Sequence, residues 1–424
     1  MHKHLAFVLL FLFVSLWSCT KKDNPEPGPP TFELIFQNDW AALDARVAVF
    51  LSDEQGGLRA FRWLPAADSA HLALPGASVD EYFDCTLVTI TTLLAPGSGL
   101  RDTTVTLRTF TRLSSGQSIH LASPDAGKNT DLYLFLSQLN TLDSIIVPDG
   151  LTFARPQLSN NFEGAYRVSH SGRFWLRVLA DGDPTWRYRL FENIDAPEFD
   201  AAIDVSALPP LGPPQQLSLP FAAPWQYRID RAVDTAQGQF LPIGDLVRAP
   251  GGASPFFDQL DVYEPPNLPW NAGYRLRFSG ADPNLQGIGY VCDRFFASWP
   301  SSLPAIPFEA LPLGLSGKRQ ASVHCNGSFD LLALVFARSG TPQLHWEVLL
   351  KPAASVIYRL PDLPEELGTL FPALQNYDFN LPARVRAEGY QQLTGFEEAQ
   401  LRYRLASDPL WQMKAGYLAK ERVF

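Results

Sequence analysis

Carboxylates are the first residues to weigh for chemistry. Asp80, Glu81 and Asp84 cluster, and Asp181 and Asp183 flank Gly182. A glycosidase needs two carboxyl groups about 5–10 Å apart across a cleft, and sequence neighbours do not establish that. The first cluster therefore reads as solvated loop charge. The aspartates around Gly182 offer oxygens to calcium but lack the further ligands calcium takes. With Pro184 they read as a hairpin turn. His71, His120, His170, His324 and His345 stand singly and read as structural or surface residues. The chain has no nucleophile elbow, phosphate loop, dinucleotide fingerprint or H-E-x-x-H zinc motif. No catalytic residue, cofactor or metal ligand is assigned. An indole can stack on a sugar ring. Most tryptophans read as core, and Trp270, in the loop Pro265–Asn271, is the one candidate for ligand stacking.

The elements that would position such residues are strands. Arg46–Leu51 and Leu58–Trp63 alternate polar with apolar around the turn Asp53–Gly57, predicting a hairpin. Thr86–Thr91 and Thr103–Arg108 predict two more strands. Arg173–Leu179 and Trp186–Phe191 predict a further hairpin, with Arg187 and Arg189 on its wet face. Its order of elements recurs at Leu331–Ala337, His345–Leu349 and Val356–Leu360. That recurrence reads as two related β-modules or as chance likeness between hairpins. Leu363–Leu367 and Thr394–Leu401 predict short helices. Leu401–Phe424 returns to strand, with Trp411 and Tyr417 packing inward. The fold class expected is all-β: two or three β-sandwich-like modules in tandem, with few short helices.

Composition agrees. Hydrophobic residues make up 46% of the 424-residue chain, a globular value. Its 36 prolines favour strands and loops over long helices. The net charge of −10 argues against a nucleic-acid surface, which needs a basic patch.

The N-terminus carries the most specific pattern. Met1-His2-Lys3-His4 is a short basic start, and Leu5–Leu16 is apolar apart from Ser15. About twelve residues are too few for the ~20 of a spanning helix, so the segment reads as a removable signal. Leu16-Trp17-Ser18-Cys19 resembles the lipobox of bacterial lipoproteins, and the following Thr20-Lys21-Lys22-Asp23 resembles the start of many Bacteroidota outer-membrane lipoproteins. The resemblance implies that residues 1–18 are removed and that Cys19 becomes an acylated N-terminus, with palmitate among its chains. Lipid on one residue anchors a soluble body through about 0.8 kcal/mol per buried CH₂. Residues 19–32, rich in proline and glycine, then form a flexible tether. The expected modules are 33–123, which resembles transthyretin-like domains, 124–245, and 246–424. With Cys19 acylated, Cys85, Cys292 and Cys325 remain. They read as a Cys292–Cys325 disulfide with one free thiol, or as three separate buried thiols.

The functional expectation is a lipid-anchored cell-envelope protein of the outer membrane, on its periplasmic or surface face. It would be a non-catalytic binding or structural module, with a glycan or an envelope protein as partner. The alternatives are a hydrolase of glycans or peptides, or an accessory subunit of an envelope complex. Ser69, Thr103, Ser144 and Thr235 each follow an aspartate and precede a small or apolar residue. This resembles the O-glycosylation motif of exported Bacteroidota proteins. Intact mass of the native protein tests the motif: we expect an excess over polypeptide plus lipid, and its absence rules the sugars out.

Overall fold

The computed structural model describes residues 31–423, apart from intervening stretches. The longer of these are 39–44, 95–100, 122–127, 138–141, 147–152, 155–161, 181–184, 235–238, 246–255, 269–272, 307–310, 376–383 and 405–415. The fold is all-β with few short helices. Among the described residues, no helix is long and apolar enough to cross a membrane.

A twelve-stranded sheet organises the molecule. Its order is β17 (Gln239–Asp245), β16 (Gln226–Asp234), β19 (Tyr274–Ala281), β20 (Ile288–Phe296), β27 (Tyr417–Val423), β26 (Arg384–Tyr390), β23 (Leu331–Arg338), β24 (Gln343–Leu350), β6 (Arg101–Leu113), β5 (Phe83–Leu94), β2 (Ala45–Ser52) and β3 (Leu58–Leu64). Strands from the first and third expected modules thus share one sheet. The seam between them is the parallel pair β24–β6, with Leu344 opposite Val105 and Leu349 opposite Phe110.

Smaller sheets cover this one. On one face lie β4 (Asp68–Ser78), β1 (Thr31–Asn38) and β7 (Ser118–Leu121). They bury Phe32, Leu34 and Phe36 against Val47, Val49, Phe110 and Leu349. On the other face lie β21 (Leu311–Ser316), β22 (Gln320–Asn326) and β25 (Ser355–Arg359), with helices α1 (Glu365–Leu370) and α2 (Pro372–Gln375). They help enclose Phe50, Val88, Leu107 and Trp346. The central strands are therefore buried on both faces, and this corrects the expected alternation in Arg46–Leu51. Val47 through Leu51 are all buried, as are Leu331 through Val335. A strand covered on both sides reads as a continuous apolar run.

Farther along the large sheet, β15 (Gln215–Ala223) pairs with β18 (Phe257–Val262), and their core includes Leu217, Trp225, Ile229 and Phe278. A separate sandwich faces β10 (Phe153–Ala154), β9 (Leu142–Ile146), β12 (Phe174–Ala180) and β13 (Arg187–Phe191) against β11 (Phe162–His170), β8 (Lys128–Ser137) and β14 (Glu198–Asp204). It is tied to the large sheet by Trp175, whose indole N–H donates to the Pro242 carbonyl of β17 at 2.8 Å. The third helix, α3 (Gly395–Arg404), starts where Glu398 accepts from the Thr394 backbone N–H at 2.7 Å and from its hydroxyl at 3.2 Å. Both bonds run from Thr394 to the one carboxylate, which satisfies an N–H at the helix start.

Trp346 fastens the seam. Its ring is fully buried, and its Nε1 donates to Thr109 Oγ1 at 2.9 Å, which also bonds Thr86 Oγ1 at 2.8 Å. We expect Trp346→Ala to lower unfolding free energy by about 3–5 kcal/mol in urea titrations, and Trp346→Phe to cost less because the ring packing persists.

Candidate functional site

Several expected site residues lie outside the described ones: Cys19, Trp270, Thr235, and the Asp181 and Asp183 of the turn. Ser69 is exposed on β4. Thr103 is half-buried on β6, and its hydroxyl bonds that of Thr92 at 3.4 Å. Ser144 lies on β9, its side chain outside the described residues. Of the two readings of the cysteines, the disulfide is not found and the separate buried thiols are: Cys292 lies on β20 and Cys325 on β22, in different cores, and Cys85 is buried and free as well. Trp175, Trp225 and Trp346 are buried, as the core reading of the tryptophans requires.

The acidic cluster needs a second correction. Asp80 and Glu81 are exposed, but Asp84 is 7% exposed at the start of β5. Its Oδ1 accepts from the Arg112 backbone N–H at 2.9 Å. Arg112 has φ of 58°, a left-handed conformation, close to a register shift between β5 and β6. Asp84 thus holds an irregular, strained corner of the sheet. Burial pushes its carboxyl up to about 7, against the Arg112 hydrogen bond, which pulls it down.

The main polar assembly is one that local sequence reading missed. It occupies one face of the large sheet from β6 to β16, and three of its carboxylates are each clamped between two arginines. Glu347 on β24 accepts from Arg108 on β6 and Arg386 on β26, each at 2.8 Å. Asp293 on β20 accepts from Arg275 on β19 at 2.9 Å and Arg402 on α3 at 3.2 Å. Asp230 on β16 accepts from Arg228 at 2.8 Å and from Arg277 on β19 at 2.5 Å. Registers explain the meeting: Arg228 lies opposite Arg277, Arg277 opposite Asp293, and Arg386 opposite Glu421, while Arg275 reaches Asp293 diagonally. Alternate residues of a strand share a face, so Tyr274-Arg275-Leu276-Arg277-Phe278 sends its arginines one way and its apolar side chains the other. That alternation was the available signal; the partner of each arginine was not.

Tyrosines complete the network. Tyr390 and Tyr403 both donate to Glu388, which also accepts from Arg386. Arg402 lies over the ring of Tyr417, 4.1 Å from its centroid, with Tyr403 at 5.3 Å. Burial opposes charge on Glu347, yet Arg108 and Arg386 hold its carboxyl down at about 2. Burial likewise opposes ionisation of Asp293, and Arg275 with Arg402 keeps it below the usual carboxylate range.

An open cleft of about 500 Å³ adjoins the end of this network. Gln226, Arg228, Arg277, Ser279, Asp293 and Tyr417 line it. The side chains of Arg228 and Arg277 are each 38% exposed, while Asp230 beneath them is 1% exposed. Arg277 Nε and, next to the cleft wall, Arg402 Nη1 are buried with no hydrogen-bond partner among the described residues. The arrangement presents paired guanidinium groups on a rigid sheet, a geometry suited to holding an anion rather than to transferring a proton.

No family model matches the chain, and no curated protein matches it. Among solved structures, the chain aligns with a streptococcal ancillary pilin at 8% identity, over 75% of this chain and 99% of that one, with a TM-score of 0.15. That score carries no argument about fold or function.

The carboxyl groups set opposite pH dependences. Glu347 binds its proton more weakly folded than unfolded, so its stabilisation is present above about pH 4.5 and is lost as pH falls through about 2. Asp84 binds its proton more tightly folded, so stability falls as pH rises from 3.8 through about 7. We expect Asp84→Asn, which keeps the acceptor oxygen, to leave Tm unchanged near pH 3 and to raise it at pH 8. The gain is bounded by about 4 kcal/mol. Thermal scans across that range check this, and equal shifts at both ends would refute it.

Proposed function

We propose that this protein is a lipid-anchored, non-catalytic binding module of the bacterial cell envelope. In this reading residues 1–18 are removed and Cys19 carries the acyl chains. Residues 19–32 tether the β body to the outer membrane, and the arginine-lined cleft receives a ligand. The anchoring half rests on Leu16-Trp17-Ser18-Cys19 and the proline-rich stretch after it. The binding half rests on one observation: half-exposed Arg228 and Arg277 share one buried carboxylate at the mouth of an open cleft. A cleft of this size is in the range of small-molecule and saccharide sites. Its donors are fixed by β-ladder pairing rather than by loops, which limits the entropy lost on binding.

Labelling with radioactive palmitate and fractionation of the native host test the anchor. We expect the protein to take up label and to sediment with outer membranes. Cys19→Ala should abolish the label and release the protein to a soluble fraction. A Cys19→Ala protein that stays in the membrane pellet, or wild-type protein without label, overturns the anchoring.

A further inference from the structure

We infer that the corner where β5 meets β6 is a proton-operated latch: while Asp84 carries its proton, Arg112 holds Glu54 of the β2–β3 turn, and when that proton leaves to solvent, Arg112 swings to Asp84 and releases the turn. This goes beyond the binding-module reading and does not depend on it.

The backbone of the corner comes first. Phe83 pairs with Leu113 and Cys85 with Phe110, so Thr111 and Arg112 together stand opposite Asp84 alone, as in a β-bulge. Thr111 is fixed from two sides. Its hydroxyl donates to the Leu349 carbonyl at 2.7 Å, and its own carbonyl accepts from the Gln400 side chain at 3.0 Å. Arg112 is held differently. Its backbone is left-handed, a conformation that a Cβ disfavours, and its N–H donates to Asp84 Oδ1 at 2.9 Å. Its guanidinium lies at the surface, on exposed Glu54 at 3.0 Å and 5.2 Å from the centroid of the exposed Tyr82 ring.

The groups around Asp84 come second. Among the described residues, no arginine or lysine side chain forms an ion pair with it. Ser52 of β2 lies directly opposite, on the same face of the sheet. Its hydroxyl is buried with no hydrogen-bond partner among the described residues. Tyr358 of β25 brings a buried hydroxyl to the carboxyl. The neighbouring Cys85 points to the other core, where it senses Arg404 of α3. Burial pushes the Asp84 carboxyl up to about 7; the Arg112 N–H pulls it down, the charge of Glu54 raises it, and the Tyr358 hydroxyl and the Arg112 charge lower it.

A buried carboxylate needs a counter-charge. Once ionised, Asp84 attracts the Arg112 guanidinium and repels Glu54, so both forces act against the same surface bridge. The Ser52 hydroxyl donates or accepts, and so serves Asp84 in either state. The turn released in this way also seats the outer sheet, because the Gly56 carbonyl accepts from the Asp362 N–H, just past β25, at 2.7 Å. Proton loss is thereby coupled to the joint between the large sheet and its cover.

Fluorine NMR of the full mature chain tests this, with trifluoromethyl-phenylalanine, a ring that does not titrate, in place of Tyr82. We expect its resonance to move with a midpoint of about 7 and to stay flat in Asp84→Asn. Glu54→Gln removes the repulsion and should lower the midpoint. Amide exchange of the turn Asp53–Gly57, corrected for its intrinsic pH dependence, should be about threefold or more faster at about pH 8 than at about pH 6 in the wild type, and equal at both in Asp84→Asn. Thermal unfolding confirms that the variants are folded, and if Asp84→Asn is not, Glu54→Gln carries the test. A resonance that still titrates in Asp84→Asn reports another group and overturns the latch. A flat wild-type resonance overturns it too, and so does a titrating ring above a turn whose exchange does not change.

Discussion

The pairing of β24 with β6 is the constraint on which the rest of the molecule depends. It joins residues 238 positions apart, with the Thr111 hydroxyl donating to the Leu349 carbonyl at 2.7 Å. Three kinds of interaction cross this one seam. The backbone ladder sets the register, the indole of Trp346 reaches Thr109, and Arg108 reaches Glu347. Remove the ladder and the large sheet becomes two, each with a bare edge and with apolar residues on both faces. Neither half has its own cover, because the small sheets and helices pack across the seam: Phe396 and Ala399 of α3 share a core with Phe32 and Val47.

The same seam explains why charge is buried so heavily beside it. A sheet this wide has more face than the small sheets cover. Where apolar cover ends, the face continues as arginine, carboxylate and tyrosine. A buried carboxylate is tolerated only when its lone pairs are matched. Pairs of arginines do this for Glu347, Asp293 and Asp230, and one arginine with two tyrosines does it for Glu388, so the polar network inherits the precision of the backbone ladder. The excess of arginine over acid within a chain of net charge −10 is then a local property of one face, against the sign of the whole.

Local structure was legible in the sequence; distant pairing was not. The hairpin of β2 and β3 follows from Asp53–Gly57, where Asp53 Oδ1 accepts from the Gly57 N–H at 2.7 Å and Gly56 has φ of 81°. Both predicted short helices form, because acids at their starts are local signals. Asp84 was misread because burial is decided by what packs above a residue, here a strand from far along the chain. The sequence left the choice between a Cys292–Cys325 disulfide and separate buried thiols open for the same reason, since neighbourhood in sequence says nothing about which core a thiol enters. The cleft was invisible because each arginine alone looks like an ordinary wet-face residue. Only strand order turns Arg228 and Arg277 into one surface.

The contact between Trp175 and Pro242 has a further consequence. Among the described residues the large sheet does not close on itself, and β17 and β3 are its outermost strands. An exposed edge invites a strand from another molecule. Pro242 interrupts the donors along β17 because proline has no N–H to offer, and its carbonyl is occupied by the Trp175 indole. One residue pair therefore seats the separate sandwich and also blunts the edge against intermolecular pairing. Loosening that joint would cost the protein solubility before it cost the fold.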